Sequence, residues 1–458
     1  MASSLVIKGG TLVSSEGVRR GDILIEGERI VEVRDAFSSD QSPVTNYQLL
    51  DASGLLIFPG LIDVHVHLRQ PGGEHKEDFY TGTCAALAGG VTTVFAMPNT
   101  SPAVVDETSF DHAMRLAEQN AVCDFSLFLG ATTHNSKLKT QNSKLLECGL
   151  KIYMGSSTGD LLVEDFAAQY EHFERYPHDR VIAVHAEHEP AVRYFARRGL
   201  RRPPICAEIE VSRAVAMAAH CNRRLHVCHV STRREVEIIA DAKARGVPVT
   251  CEFTPHHLFL SRQVVQDGGM GEQGDKGRGR QGDKENVNSA CGLPPSCFEM
   301  NPPLRDQADV DALWANLAVA DCIATDHAPH TLEEKRSANP PMGVPGLETM
   351  LPLLLTAAHE GRLRLEDIAR LCCEGPARIY NIAGKGKIAP GFDADLTLVD
   401  PSAEWFIGDK PLFTKCNWTP FAGWPVRGAV QRVFVRGRLA FDAGRIVVER
   451  GFGRPVRN

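Results

Sequence analysis

The chain has 458 residues, 43% of them hydrophobic and 23% charged, which is enough for a large core and a small second domain. A net charge of −7 argues against a nucleic-acid footprint, and no apolar run reaches the length of a membrane span. Thirteen cysteines, an odd number set mostly inside apolar patterns such as "VCHV" and "DCIATD", suit reduced thiols better than a disulfide framework.

The N-terminus, "MASSLVIKGGTL", lacks the basic and long apolar regions of a signal peptide, so a cytoplasmic protein is expected. The first ~55 residues alternate short strands with glycine turns, as in "SLVIKGGTLVSSEG" and "GDILIEGERIVEV". The last ~70 do the same in "ADLTLVD" and "AVQRVFVRGRLAFDAGRIVV". Residues 1–57 and 386–458 are therefore expected to build one small β-sandwich domain from both termini.

Between them, residues 58–385 change rhythm. Eight apolar runs, "LIDVHV", "VTTVFAM", "DFSLFLG", "GLKIYMG", "VIAVHAE", "LHVCHV", "VTCEF" and "CIATDH", are mostly separated by helical patterns. The clearest helices are predicted over Asp106–Gln119, Leu162–Glu174, Ala207–His220 and Arg233–Arg245. This alternation predicts an α/β fold, an eight-stranded (β/α)8 barrel of the TIM type, with a doubly wound sheet as the alternative. Residues 266–296, rich in glycine and mixed charge, read as a flexible insertion after the seventh strand.

The polar residues fall at one end of those strands. His65 and His67 end the first and, spaced by two, project from one face. His185 ends the fifth, His229 lies in the sixth and Asp326 ends the eighth. A lone histidine at a strand end is ordinarily a hydrogen-bonded residue, but four with an aspartate at the mouth of one barrel are hard to explain as packing. Imidazole and carboxylate are the donors that zinc prefers at catalytic sites. Lys151, in "GLKIYMG", is the one charge in an apolar strand; read alone, it snorkels to water.

The motifs "FPGLIDVHVHLRQPG", "GGVTTVFAMPNT", "KIYMGSSTG", "VHAE", "HVCHVST", "CEFTPHHLFL", "NPPLR" and "ATDHAPHTLEEK" resemble the cyclic amidohydrolases, and within them the dihydroorotases. The tail, "GVPGLETMLPLLLTA" through "FTKCNWTPF", is similar to the dihydroorotase part of the animal multifunctional pyrimidine protein. The resemblance implies two Zn2+ ions bound by His65, His67, Lys151, His185, His229 and Asp326, with Lys151 carboxylated as the bridge and Asp326 as catalytic acid and base. A carbamate, formed when CO2 adds to the neutral amine, carries anionic oxygens able to span two cations. It also implies Arg69, Asn99, Asn301 and His330 as substrate contacts.

Arg69 offers a bidentate fork to a carboxylate, which dihydroorotate and N-carbamoyl-aspartate carry and uncharged dihydropyrimidines lack. The plainer alternatives are a salt bridge for Arg69, turn chemistry for Asn99 and Asn301, and a loop cap for His330. Ser157 or Thr158, between the glycines of "GSSTG", is expected to close over the substrate. Cys228 reads as core packing, although with Glu252 it resembles residues linked to an extra zinc in the animal enzyme. His256 and His257 read as structural. The activity expected is reversible closure of N-carbamoyl-L-aspartate to L-dihydroorotate. The alternatives are another cyclic amidohydrolase (dihydropyrimidinase, hydantoinase or allantoinase) or a non-catalytic scaffold relative. A small-molecule substrate, neither nucleic acid nor membrane as partner, and a possible homo-oligomer complete the reading.

Overall fold

The computed structural model describes residues 4–35, 47–137, 147–266 and 292–456. Eight parallel strands form its centre: β1 (Leu61–Val66), β2 (Val91–Ala96), β3 (Asp124–Leu127), β4 (Gly149–Tyr153), β5 (Val181–His185), β6 (Leu225–Val227), β7 (Val249–Phe253) and β8 (Cys322–Ile323). β1, β2 and β3 pair in that order, and β4 to β8 pair in sequence. A two-residue strand, Leu129–Gly130, follows β3 after a break at Phe128 and joins it to β4. The ring closes where Val66 bridges His327 and the His67 amide donates to the His327 carbonyl at 2.8 Å. Asp63 reinforces that seam by accepting from Thr325 Oγ1 at 2.6 Å. The expected barrel is the fold found; a doubly wound sheet would leave β1 and β8 as unpaired edges.

All residues of β1, β2, β4 and β5 are buried, as strands covered on both faces require. One face packs against the helices through residues such as Leu61, Val94, Leu150 and Ile182. The barrel interior holds a separate cluster drawn from β1, β2, β5 and β8, including Ile62, Val64, Phe95, Ala183 and Cys322, with Tyr380 edge-on to Phe95 and Phe128.

The helices follow their capping signals. Asp106 accepts from the Ser109 amide at 2.8 Å and starts Glu107–Asn120; Thr232 with Glu235 starts Arg233–Ala244. The helix predicted from Leu162 begins later, at Phe166, because Asp165 caps it and Leu162 is drawn into a bridge with Tyr153. A helix the pattern did not reveal, Glu189–Ala196, follows β5.

The two ends of the chain form a nine-stranded sheet, mostly antiparallel, in which Leu56–Pro59 pairs with both Ser4–Ser14 and Leu396–Phe406. Leu56–Pro59 then runs almost directly into β1, so this sheet is anchored to the barrel by the chain itself. The described cysteines are all free thiols, and no helix among the described residues is long and apolar enough to cross a membrane.

Of the expected insertion 266–296, residues 267–291 lie outside the described residues. Its C-terminal end, at Ser296, packs into the fold. Ser296 is buried, and the Lys335 ammonium donates to the carbonyls of Ser296 (2.9 Å), Glu299 (3.2 Å) and Pro341 (2.8 Å). Three carbonyls satisfy a buried ammonium that glycine and charge composition could not foretell.

A second buried cation holds the terminal sheet to the barrel. Lys385 Nζ pairs with Asp124 at 2.8 Å, with Asp395 at 2.5 Å and with Asp393 at 3.2 Å. Removing one partner of a buried charge set leaves the others uncompensated, at a cost of about 3–5 kcal/mol. Lys385→Met is therefore expected to move the urea unfolding midpoint clearly downward. An unchanged midpoint would refute this account of the junction.

Candidate metal centre and active site

The C-terminal ends of the barrel strands converge on one buried cluster. His65 Nε2 and His67 Nε2 lie 3.3 Å and 3.1 Å from Asp326 Oδ1. His185 Nδ1 and His229 Nε2 face each other at 3.0 Å. Ligand atoms of His65, His229 and Asp326 all lie within 4.8 Å of one another. Lys151 is fully buried on β4, so the reading that sends it to water is wrong: its neighbours on both sides are strand, and the ammonium points inward to Cys228 Sγ at 2.9 Å. Among the described residues no carboxylate pairs with it. Cys228 correspondingly does more than pack, since its sulfur faces the cluster.

The donor set fits a metal. Burial brings His67 down to about 4 and pushes His185 and His229 below the usual imidazole range, which keeps them in the neutral form that ligates. Burial opposes the charge of His65 too, but the Glu252 carboxylate, 2.5 Å from Nδ1, raises it to about 10. His65 Nδ1 donates to Glu252 and His67 Nδ1 donates to Asn99 Oδ1 at 2.7 Å, so both rings turn Nε2 toward Asp326. Such outer contacts fix the tautomer and orientation of metal-binding histidines. Two imidazole nitrogens facing each other at 3.0 Å, as in His185 and His229, are the arrangement a shared cation would occupy. His65, Cys228 and Glu252 form a further group of ligand atoms close by.

Backbone strain is present here. Arg69 (φ 61°), His229 (φ 38°) and Asp326 (φ 46°) hold left-handed conformations, each costing about 1–3 kcal/mol for a side-chain-bearing residue.

Beside the cluster is a cavity of about 20 Å³ lined by His67, Arg69, Asn99, Thr158, Asn301 and Asp326 among others, with Ser157 also on its wall. Arg69 is buried; its Nε donates to the Pro329 carbonyl at 3.1 Å and its Nη2 lies 3.0 Å from His330 Nε2. Burial lowers Arg69 to about 10, yet among the described residues no carboxylate pairs with its guanidinium. The salt-bridge alternative for Arg69 thus finds no partner. His330 is fully buried between Arg69 and Lys76, and burial pushes it well below the imidazole range. Asn99 is more than a turn residue, for its amide also donates to the Thr158 carbonyl at 2.9 Å. Asn301 stands at the rim, where Arg201 Nη2 donates to its side chain at 3.4 Å. His257 is structural, bonded to Thr254 at 2.8 Å and to the Pro302 carbonyl at 3.1 Å. His256 is buried beside it with Nε2 unpartnered. A wider groove lies elsewhere, about 550 Å³ between Ile205–His220 and Arg233–Ala244, and carries no histidine or cysteine.

Sequence reasoning missed two residues of this neighbourhood. Glu187 lies 3.1 Å from His185 Nε2, and Arg202 pairs with Glu187. Glu187 stands two residues after His185 in "VHAE", so the period-2 rule that paired His65 with His67 could have found it; Arg202 had no such signal.

The Amidohydrolase family model matches residues 56–440. The chain is 43% identical over 91% of its length to Multifunctional protein CAD of Squalus acanthias, of which it spans only 16%. It is 35% identical to a dihydroorotase of Pyrococcus horikoshii, over 96% of this chain and 92% of that one. The chain belongs to the amidohydrolase family, on its dihydroorotase branch. Among solved structures, L-hydantoinase (dihydropyrimidinase) from Arthrobacter aurescens superposes with a TM-score of 0.88 at 26% identity, covering 100% of both chains.

Asn99 sits between His67 and the Thr158 loop. Asn99→Ala removes the acceptor that fixes the His67 tautomer, and losing such a contact weakens metal binding by roughly 10–100-fold. Chelator competition on the Asn99→Ala protein is expected to read a loss of that size. An affinity equal to wild type would exclude the orienting role.

Proposed function

We propose that the chain is a metal-dependent dihydroorotase, which closes N-carbamoyl-L-aspartate to L-dihydroorotate and reopens it in pyrimidine synthesis. The observation that carries this reading is Arg69: a buried guanidinium without a carboxylate partner, lining the cavity beside the histidine cluster. An uncharged dihydropyrimidine would leave that charge unanswered, whereas both partners of the dihydroorotase reaction supply a carboxylate. The scaffold alternative is disfavoured because every ligand position is filled.

The cations are read as two zinc ions, held by His65, His67, Lys151, His185, His229 and Asp326, since imidazole and carboxylate donors suit zinc. Lys151 is read as carboxylated. Its buried amine lies among imidazoles, and CO2 addition replaces a costly unpaired ammonium with an anion able to serve both ions. Bound there, the ions would polarise the ring carbonyl and make a water nucleophilic at neutral pH.

The chain's own groups do the rest. Burial opposes the charge of Asp326, but His65 and His67 hold it well below the carboxylate range, so it stands ionised, in the form that can take up a proton. In the opening direction Asp326 takes the proton of the attacking water and delivers it to the ring nitrogen as the amide bond breaks. In the closing direction it takes the proton from the carbamoyl nitrogen and gives it to the departing hydroxide, which leaves as water. A positioned acid and base of this kind contributes ~10²–10⁴-fold. Arg69 grips the substrate carboxylate, while Asn99, Asn301 and His330 shape the space around it. Ser157 and Thr158 line the same cavity and would close over the substrate.

A panel of dihydroorotate, dihydrouracil and allantoin tests the reading. Turnover is expected with dihydroorotate alone, and preference for either of the others would overturn it. Arg69→Lys keeps the charge but loses the fork; KM for dihydroorotate should rise at least tenfold with metal content unchanged. Lys151→Ala should lose at least one zinc and nearly all activity while the circular dichroism spectrum persists. Full metal content in that variant would remove the bridging role.

A further inference from the structure

The loop Gly155–Gly159 and the chain after β5 meet at Arg202, a residue the catalytic scheme above does not use. Arg202 holds a left-handed backbone (φ 42°) and buries its guanidinium, which is only 10% exposed. Its Nη1 pairs with Glu187, which is fully buried and lies against His185 Nε2. Its Nη2 donates to the Ser156 carbonyl and, at 2.8 Å, to Ser156 Oγ. From the other side, the Ser156 amide donates to Glu189 Oε2 at 2.7 Å. Ser156 is therefore held at both its N–H and its C=O by charged side chains of one segment. The backbones also touch: a Cβ at Gly155 would lie 2.5 Å from the Glu187 carbonyl oxygen, so only glycine fits. Arg202 is itself pinned, because its carbonyl accepts from Arg305 Nη1 at 2.7 Å and Arg305 Nε donates to Ser231 Oγ at 3.1 Å.

These contacts form a circuit. It runs from His185 through Glu187 to Arg202, from Arg202 to Ser156, along the loop to Thr158, and from the Thr158 carbonyl through Asn99 to His67. We infer that Arg202 is a positioning residue that couples the orientation of the ligand His185 to the placement of the loop over the substrate cavity. The planar fork is what allows both tasks at once: one nitrogen neutralises Glu187 while the other binds the loop. A lysine can do the first or the second but not both. Glu187 lies 3.1 Å from the ring nitrogen that His185 does not turn toward His229, close enough to bias the tautomer on the metal side.

The inference rests on the metal reading of His185 and the substrate reading of the cavity. Wild-type metal content and dihydroorotate turnover test those readings by themselves; Arg202 is tested by differences between variants and wild type. In Arg202→Lys, hydrogen exchange at the amides of residues 156–159 should accelerate at least tenfold. KM for dihydroorotate should rise about tenfold, with kcat within threefold and metal affinity unchanged. In Arg202→Ala, metal affinity by chelator competition should also fall by roughly 10–100-fold. If Arg202→Ala does not fold, Glu187→Gln reads the metal arm and should show the same fall with loop exchange near wild type. Unchanged exchange and KM in Arg202→Lys would overturn the loop half. Unchanged metal affinity in Glu187→Gln would overturn the coupling to His185 and leave Arg202 a fold residue only.

Discussion

His67 and Asp326 are separated by 259 residues, and only the seam between β1 and β8 brings them within hydrogen-bond distance. That seam is narrow: one bridge from Val66 to His327, the His67 amide on the His327 carbonyl, and Asp63 accepting from Thr325. Everything at the mouth depends on it. Without closure His65 and His67 would lie on a sheet edge, and Asp326 would face solvent instead of two imidazoles. Closure also creates the low-dielectric setting in which burial keeps three of the histidines neutral, a requirement for any cation to be held there.

The same closure carries a cost in stability. Three positive-φ residues, a buried lysine with a thiol as its acceptor, and a buried arginine that pairs with no carboxylate among the described residues sit within one small region. Strain of this kind persists only where the surroundings over-determine the conformation. Here the surroundings are two apolar clusters, one between strands and helices and one inside the barrel, which supply packing without crossing the mouth. The charged anchors lie apart from the site: Lys385 with its three aspartates at the terminal sheet, and Lys335 with its three carbonyls beyond the rim. These anchors are paired where they hold the frame, whereas Lys151 and Arg69 have no carboxylate partner among the described residues where a ligand would meet them.

Much of this was legible in the sequence, because it is local. Eight apolar runs with helical patterns between them give the barrel, and the period-2 rule puts His65 and His67 on one face. The strand-end positions of His185, His229 and Asp326 then give the cluster, which Lys151, in mid-strand, joins only through the family resemblance. What was not legible is long-range pairing. Nothing near Cys228 says that its sulfur will meet Lys151 from another strand, and nothing near Asn99 says that its amide will be divided between His67 and Thr158. Arg202 was invisible for the same reason, being one arginine in a basic run whose neighbours are exposed. Ser296 was misread because composition reports the average of a segment, and the buried end of 266–296 differs from its average.

The fold leaves the substrate open, since a hydantoinase superposes on the whole chain with a TM-score of 0.88. Discrimination must come from the few polar groups in the cavity, and among them Arg69 matters most. Its burial has already been offset by packing and by the Pro329 carbonyl, but its charge has not been answered. A ligand with a carboxylate completes that pair and gains a charge-assisted, two-pronged contact. A ring of the same shape without the carboxylate must displace water from a buried cation and return nothing. A site built to bind a polar group can reject the analogue lacking it by about 10⁴–10⁵-fold, far more than a hydrophobic pocket gains from one methylene. On a shared barrel, a guanidinium with no carboxylate partner among the described residues would, on the proposed reading, divide substrates that carry a carboxylate from those that do not.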